Sequence, residues 1–302
     1  MINRRECLAL GAAALTGALL PAADKPVAKL SFGYSLYGMK TLSLEEGLKA
    51  CAAIGYDAVE LALMPGYHAD PAKLDADARK KLRDRLGELK LSLPALMENL
   101  PPEADDTKHK AQLDRLKAAA ELGHSLSPAK PPIIETILGG KPGQWDTLKT
   151  LLAKRLADWA KIAEASKTVI AIKPHRFGVM TLPAQARWLL DEVRSPWLKL
   201  VYDWSHYEGR NLTMKETIDT VIPQAVFVHV KDTVFEKDQA KFVLPGEGKT
   251  DYVELLKLIQ AAGYSGNVCV EVSGMVSSKK DYDPIAAAKK CFAALAPAFG
   301  KL

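Results

Sequence analysis

The chain has 302 residues, enough for one large domain or two small ones, and its 48% hydrophobic and 25% charged residues are those of an ordinary folded protein. Its 41 basic and 36 acidic residues leave a net charge of only +5 with the signs interspersed, which excludes the strongly basic character of a nucleic-acid binder. The densest basic cluster, RKKLRDR at 79–85, falls on a helical pattern and reads as a solvated face.

The chain opens with MINRRECLALGAAALTGALLPAADKP. Arg4 and Arg5 precede an apolar run from Leu8 to Leu20, followed by small residues to Ala23. This is the pattern of a twin-arginine export signal, expected to cover residues 1–23 and to be cleaved near Ala22 or Ala23. The run is too short for a comfortable membrane span, so no stable membrane insertion is expected after cleavage and the mature protein is expected in the periplasm. Cys7 lies in this segment. Cys51, Cys269 and Cys291 sit in apolar patterns and read as core packing, not as a disulfide framework or a zinc site.

From residue 24 to 302 short apolar runs alternate with longer amphipathic ones. The predicted strands are KLSFGYSL (29–36), DAVELAL (57–63), LSLPALME (91–98), PPIIETIL (131–138), TVIAIK (168–173), LKLVYD (198–203), AVFVHV (225–230) and NVCVEV (267–272). Between and after them, apolar residues three and four apart predict helices over 42–54, 72–89, 108–122, 144–165, 182–193, 213–221, 252–262 and 284–295. Eight strands each followed by a helix predict a single (β/α)8 TIM barrel. A doubly wound open sheet is the alternative, weakened because no Gly-x-Gly-x-x-Gly follows the first strand. AAIGYDAVELAL (52–63) and QAAGYSGNVCVEV (260–272) share a helix end at Gly-Tyr and a strand carrying Val-Glu. AAAELGHSL (118–126) looks like a third copy of that helix end.

In such a barrel all strand C-termini meet at one face, where the site lies. The polar residues there are Glu60, Glu98, Glu135, Lys173 and His175, Asp203 and His206, His229 with Lys231 and Asp232 after it, and Glu271. Buried singly, each would cost several kcal/mol, roughly, so together they need each other, a metal or a substrate. An ion-pair network without chemistry is the plain alternative. Trp145, Tyr37 and Tyr67 follow strands and could stack on the ring of a ligand or simply pack in the core.

The order of DWSH (203–206), HVKD (229–232), LPGEGKTDY (244–252) and VEV (270–272) resembles the xylose-isomerase-like TIM-barrel superfamily of sugar isomerases and epimerases, over about residues 30–296. That resemblance implies a divalent metal, Mn, Mg or Co, held by Asp203, His229 and Glu271 and by a glutamate ending strand five. It implies a small-molecule carbohydrate substrate and no nucleic acid; oligomeric state is not implied. Here strand five ends in IKPHR (172–176), with Lys173 in place of the glutamate. An ammonium has no lone pair for a metal. Either Lys173 replaces the metal, or Glu135 supplies the missing carboxylate and Lys173 faces the substrate. The resemblance implies a carbohydrate isomerase or epimerase working by proton abstraction next to a carbonyl, with Glu271, Lys173 and His206 as catalytic groups. His175, Arg176, Glu60, Glu135 and Trp145 would bind substrate. A lyase on an oxidised (keto) sugar or glycoside is one alternative, and a non-catalytic periplasmic sugar-binding barrel is another.

Overall fold

A computed structural model describes residues 30–102, 105–237 and 239–302. The expected export signal lies outside them. Strands β1 (Ser31–Ser35), β2 (Ala58–Ala62), β3 (Ser92–Met97), β4 (Ile133–Ile137), β5 (Ile170–Lys173), β6 (Leu198–Asp203) and β7 (Ala225–Val230) lie side by side in sequence order. A hairpin follows, β8 (Asp232–Glu236) and β9 (Gln239–Val243), outside the barrel. Strand β10 (Asn267–Val270) then fits between β7 and β1 and closes a parallel eight-stranded barrel, with Ser31 opposite Asn267.

Eight helices sit where the periodicity places them: α1 (Leu44–Ile54), α2 (Ala76–Glu88), α3 (Asp106–Leu126), α4 (Trp145–Ser166), α5 (Pro183–Val193), α6 (Met214–Val221), α7 (Tyr252–Ala261) and, after a short α8 (Gly274–Ser277) that the periodicity does not predict, α9 (Pro284–Phe299). Their starts are chemically marked. Ser43 accepts from the Glu46 N–H while the Glu46 carboxylate accepts from the Ser43 N–H, so two otherwise orphaned donors of α1 are satisfied. The paired Gly-Tyr motifs are helix exits: Gly55 and Gly263 have φ of 111° and 90°. The third candidate differs. Gly123 lies inside α3, which continues to Leu126, and a Cβ there would stand 3.2 Å from Pro132 and 3.3 Å from Leu96. That glycine is a packing contact, not a cap.

The main core lies between barrel and helices, around Trp159, Leu48, Leu61, Leu96, Leu116, Leu156 and Ile259. A second, smaller cluster fills the barrel: Ala95, Ala171, Val201, Phe227 and Cys269. Cys51, Cys269 and Cys291 are buried free thiols, as their apolar settings predict. Among the described residues no helix is long and apolar enough to cross a membrane.

Candidate active site

Side chains alternate along a strand. Two residues beyond the inward Ala171, Val201, Phe227 and Cys269 stand Lys173, Asp203, His229 and Glu271, and two residues beyond His229, just past the end of β7, stands Lys231. Glu60 and Glu135 join them from β2 and β4. A charged layer therefore rests directly on an apolar plug, and water cannot screen it from below.

Two ammonium groups organise the layer. Lys173 Nζ lies 2.8 Å from His229 Nδ1, 3.1 Å from Glu271 Oε1 and 3.8 Å from Glu135 Oε1. Lys231 Nζ donates to Asp203 Oδ2 and, at 2.5 Å, to Glu271 Oε2, with His206 Nε2 at 3.5 Å. Glu271 thus bridges both lysines. The other nitrogen of His229 meets Glu60 Oε2 at 3.0 Å.

Proton positions follow. Burial alone would deprotonate Lys173, but Glu135 and Glu271 outweigh it and raise its pKa. Its ammonium donates to His229 Nδ1, and His229 Nε2 faces Glu60; burial and then Lys173 would lower the His229 pKa, but Glu60 and Glu271 outweigh them and raise it above the ordinary histidine value. Burial would raise Glu271, yet Lys173 and Lys231 hold its carboxyl well below the usual range. Asp203 is likewise depressed against its burial, chiefly by Lys231. His206 is pushed down to about 4, first by burial; its Nδ1 accepts from the Arg176 N–H at 3.2 Å, leaving the Nε2 proton for Asp203 at 3.4 Å. His175 is also held neutral, by burial and then by His206 and Lys173. Glu135 is the exception. Burial raises it to about 7 although Lys173 opposes this, and its Oε2 has no hydrogen-bond partner.

The layer opens into a cavity of about 280 Å³, whose walls include Tyr37, Glu135, Lys173, His175, Lys231 and Glu271. Glu98 also faces it but is tied to Arg115 at 2.6 Å. Of the sequence-predicted site residues, Glu135, Lys173, His175 and Glu271 reach this cavity. Glu60, Asp203, His206 and His229 lie beneath it, fully buried, and orient the groups above. Arg176 turns to a neighbouring cleft. Trp145 does not reach the cavity: it begins α4 and its ring packs edge-on against Trp188 at 5.6 Å, so the core-packing alternative holds. Tyr37 and Tyr67 do reach it, stacked on each other at 5.6 Å. Sequence reasoning gave Lys231 no role, although inward alternation from Phe227 through His229 leads to it.

Asp232 has a different task. Its Oδ2 accepts from the Gly246 and Gly248 N–H groups, each at 2.8 Å, and its Oδ1 from the Tyr252 hydroxyl at 2.7 Å. This pins the LPGEGKTDY loop beside the hairpin. Asp232→Ala is expected to destabilise the fold by about 2–3 kcal/mol by leaving these donors unpaired. Urea denaturation of the variant checks this.

Among the described residues two groups of donors could hold a metal ion: Asp203, His206 and Glu271, and Glu60, His229 and Cys269. Neither is the set expected from sequence. His229 has both nitrogens engaged, by Lys173 and Glu60. Both carboxylates of the first group already bond the Lys231 ammonium. With the two lysines charged, these residues fit ammonium groups and not the four-ligand cation set.

A closed parallel barrel with ionisable groups gathered at its strand ends is a TIM barrel whose site lies on the face that carries chemistry in this architecture. The chain belongs to the xylose isomerase-like TIM-barrel family, whose model matches residues 48–294. Inosose dehydratases of Salmonella agona (strain SL483) and Salmonella typhimurium (strain LT2) are 27% identical over 166 residues, 50% of this chain and 54% of theirs. The chain thus spans about half the length of these curated relatives. Among solved structures, the IolI protein with a bound zinc atom superimposes with a TM-score of 0.75 at 18% identity, over 90% of this chain and 99% of that one. A 3-keto-D-glucoside 4-epimerase from E. coli gives 0.70 at 16% identity, over 89% and 100%. An L-ribulose 3-epimerase gives 0.70 at 18%, over 90% and 95%.

Proposed function

We propose that the protein is a carbohydrate isomerase or epimerase that removes a proton next to a carbonyl. The observation that carries this reading is the juxtaposition of Glu135 with two ammonium groups on one cavity wall. A base works best when its pKa lies near the working pH, and Glu135 has that value. Glu271, clamped by both lysines, is a weak base; it serves as their shared counterion. In the proposed cycle Glu135 takes the proton α to the carbonyl. Lys173 and Lys231 hold the enediolate oxygens as negative charge develops. Return of the proton to another carbon or face completes the reaction. His206 and His229 keep the lysines in place, and burial holds His206 neutral. The similarity to sugar epimerases supports this reading.

The match to inosose dehydratases favours a second reading. The same carbanion could expel a β-hydroxyl or glycosidic oxygen, making the protein a lyase. Both begin with proton abstraction, and the product separates them. Incubation in D2O with a panel of ketoses and keto-glucosides is expected to give deuterated isomers; an unsaturated or dehydrated product would establish the lyase instead. A panel with neither deuterium uptake nor product would overturn both and favour a binding barrel.

We also propose export by the twin-arginine route. Replacing Arg4 and Arg5 together by lysine is expected to retain the protein in the cytoplasm, as cell fractionation would report. Unchanged periplasmic delivery would refute this.

A further inference from the structure

Beside the inner cavity lies a second, larger cleft of about 930 Å³. Its walls come from the hairpin β8–β9, from Phe177 after β5, from the Gly209–Arg210 turn after β6, and from α8. Its lining is unusual for a surface. Phe177, Phe235 and Met275 are 40%, 45% and 44% exposed, three of the exposed large apolar side chains in the described chain. Arg210, Lys241 and Lys279 stand at the same walls, Arg210 donating to the His206 and Arg176 carbonyls and Lys241 paired with Glu236, which also lines the cleft.

The aromatic surface is built, not left over. Gly209 has φ of 72°, and a Cβ there would come within 2.4 Å of the Phe235 ring. In this position the ring leaves no room for a Cβ at residue 209. The Arg176 guanidinium packs over the ring at 5.4 Å from its centroid. Phe177 stands edge-on to Phe242 at 5.6 Å. Phe242 is the partition. It lines both cavities, lies 5.0 Å from the His206 ring and carries the Lys231 ammonium over its face at 5.0 Å. The cleft thus adjoins the proposed reaction site, with one side chain between them.

Size and chemistry select the occupant. The inner cavity, at about 280 Å³, falls at the lower limit for a ligand pocket and suits one sugar ring. The outer cleft offers aromatic faces for the C–H face of a ring, with cationic donors around them for hydroxyl groups. Exposed apolar surface gathered in one place marks binding. We infer that the substrate is a glycoside and not a free monosaccharide: the reacting ring occupies the inner cavity and the second ring lies on Phe177 and Phe235. This rests on the carbohydrate reading of the inner site.

Calorimetric titration of the full chain tests it. Single-ring probes are D-glucose and D-allulose; two-ring probes are cellobiose, maltose, sucrose, trehalose and p-nitrophenyl glucosides of both anomers. At least one two-ring probe is expected to bind about tenfold more tightly than either monosaccharide, the gain stacking on two rings supports. Phe177→Ala and Phe235→Ala are each expected to remove most of that gain and to leave monosaccharide affinity and the thermal melt unchanged. The inference is overturned if two-ring probes bind no tighter than single-ring ones, or if the gain survives both substitutions. Failure of every sugar to bind would instead overturn the carbohydrate reading beneath it.

Discussion

Lys173→Met is expected to lower turnover by about 10²–10³-fold, the usual cost of removing one donor from a developing oxyanion. Lys173 is fully enclosed, and its ammonium is shared among His229, Glu271 and Glu135. Methionine fills much of the same space without the charge. Lys173→Glu carries the test further. It places a carboxylate among Glu135 and Glu271 and frees His229 Nδ1 from its donor. Asp203, His229, Glu271 and the new glutamate then make up the four-ligand set the resemblance implies, with the Lys231 ammonium as the competitor a metal must displace from Asp203 and Glu271. Divalent metal affinity should rise sharply, and chelator should lower the melting temperature of this variant far more than that of the wild type. Elemental analysis of both proteins after dialysis against chelator, with anomalous diffraction to place any ion, checks the outcome. Wild-type activity should survive the same dialysis. A wild type that loses activity in chelator and regains it with added metal would refute the ammonium reading.

Glu135→Gln is expected to cost about 10²–10⁴-fold in turnover while leaving the fold intact, because an amide cannot take a proton. The pH profile makes the test specific. Glu135 acts as base only when ionised, and its pKa lies at about 7. Wild-type kcat/KM, which reports the free enzyme, should therefore rise with pH through about 7 and then level. Glu271→Gln offers the contrast. The negative charge of Glu271 is among the influences that raise Glu135. Removing it should move the inflection to lower pH without erasing it. If Glu271→Gln erases the inflection and Glu135→Gln leaves it in place, the base is Glu271, as the sequence alone suggested.

The barrel was legible because its physics is local. Period-two and period-3.6 patterns, capping boxes and helix-ending glycines each act within a few residues. The eight expected strands and the eight long helices accordingly lie where the patterns put them. The hairpin 232–243 escaped because no glycine or proline separates β8 from β7; only Lys231 stands between them. Inward direction was also legible, since alternation sends Lys173, Asp203, His229 and Glu271 to one layer. Partners were not. His229 turns its nitrogens to Lys173 and Glu60, residues 56 and 169 positions away, and nothing near it in sequence announces that choice. Trp145 misled for a related reason: a tryptophan after a strand can face a cavity or a neighbouring helix, and Trp188 decides it.

The position of Glu271 has a bearing on how the molecule assembles. It follows β10, the strand that seals the barrel between its first and seventh members. Until that strand docks, Lys173 and Lys231 lack the carboxylate they share. Their electrostatic compensation is therefore completed only when the two ends of the chain meet, a long-range and kinetically slow event. A barrel missing its last stave would leave two cations poorly matched on an oily floor. Half-open forms are thus penalised beyond their lost strand pairing, and closure becomes more nearly all-or-none. The groups proposed to do the chemistry would then be the last to find their places as the chain folds.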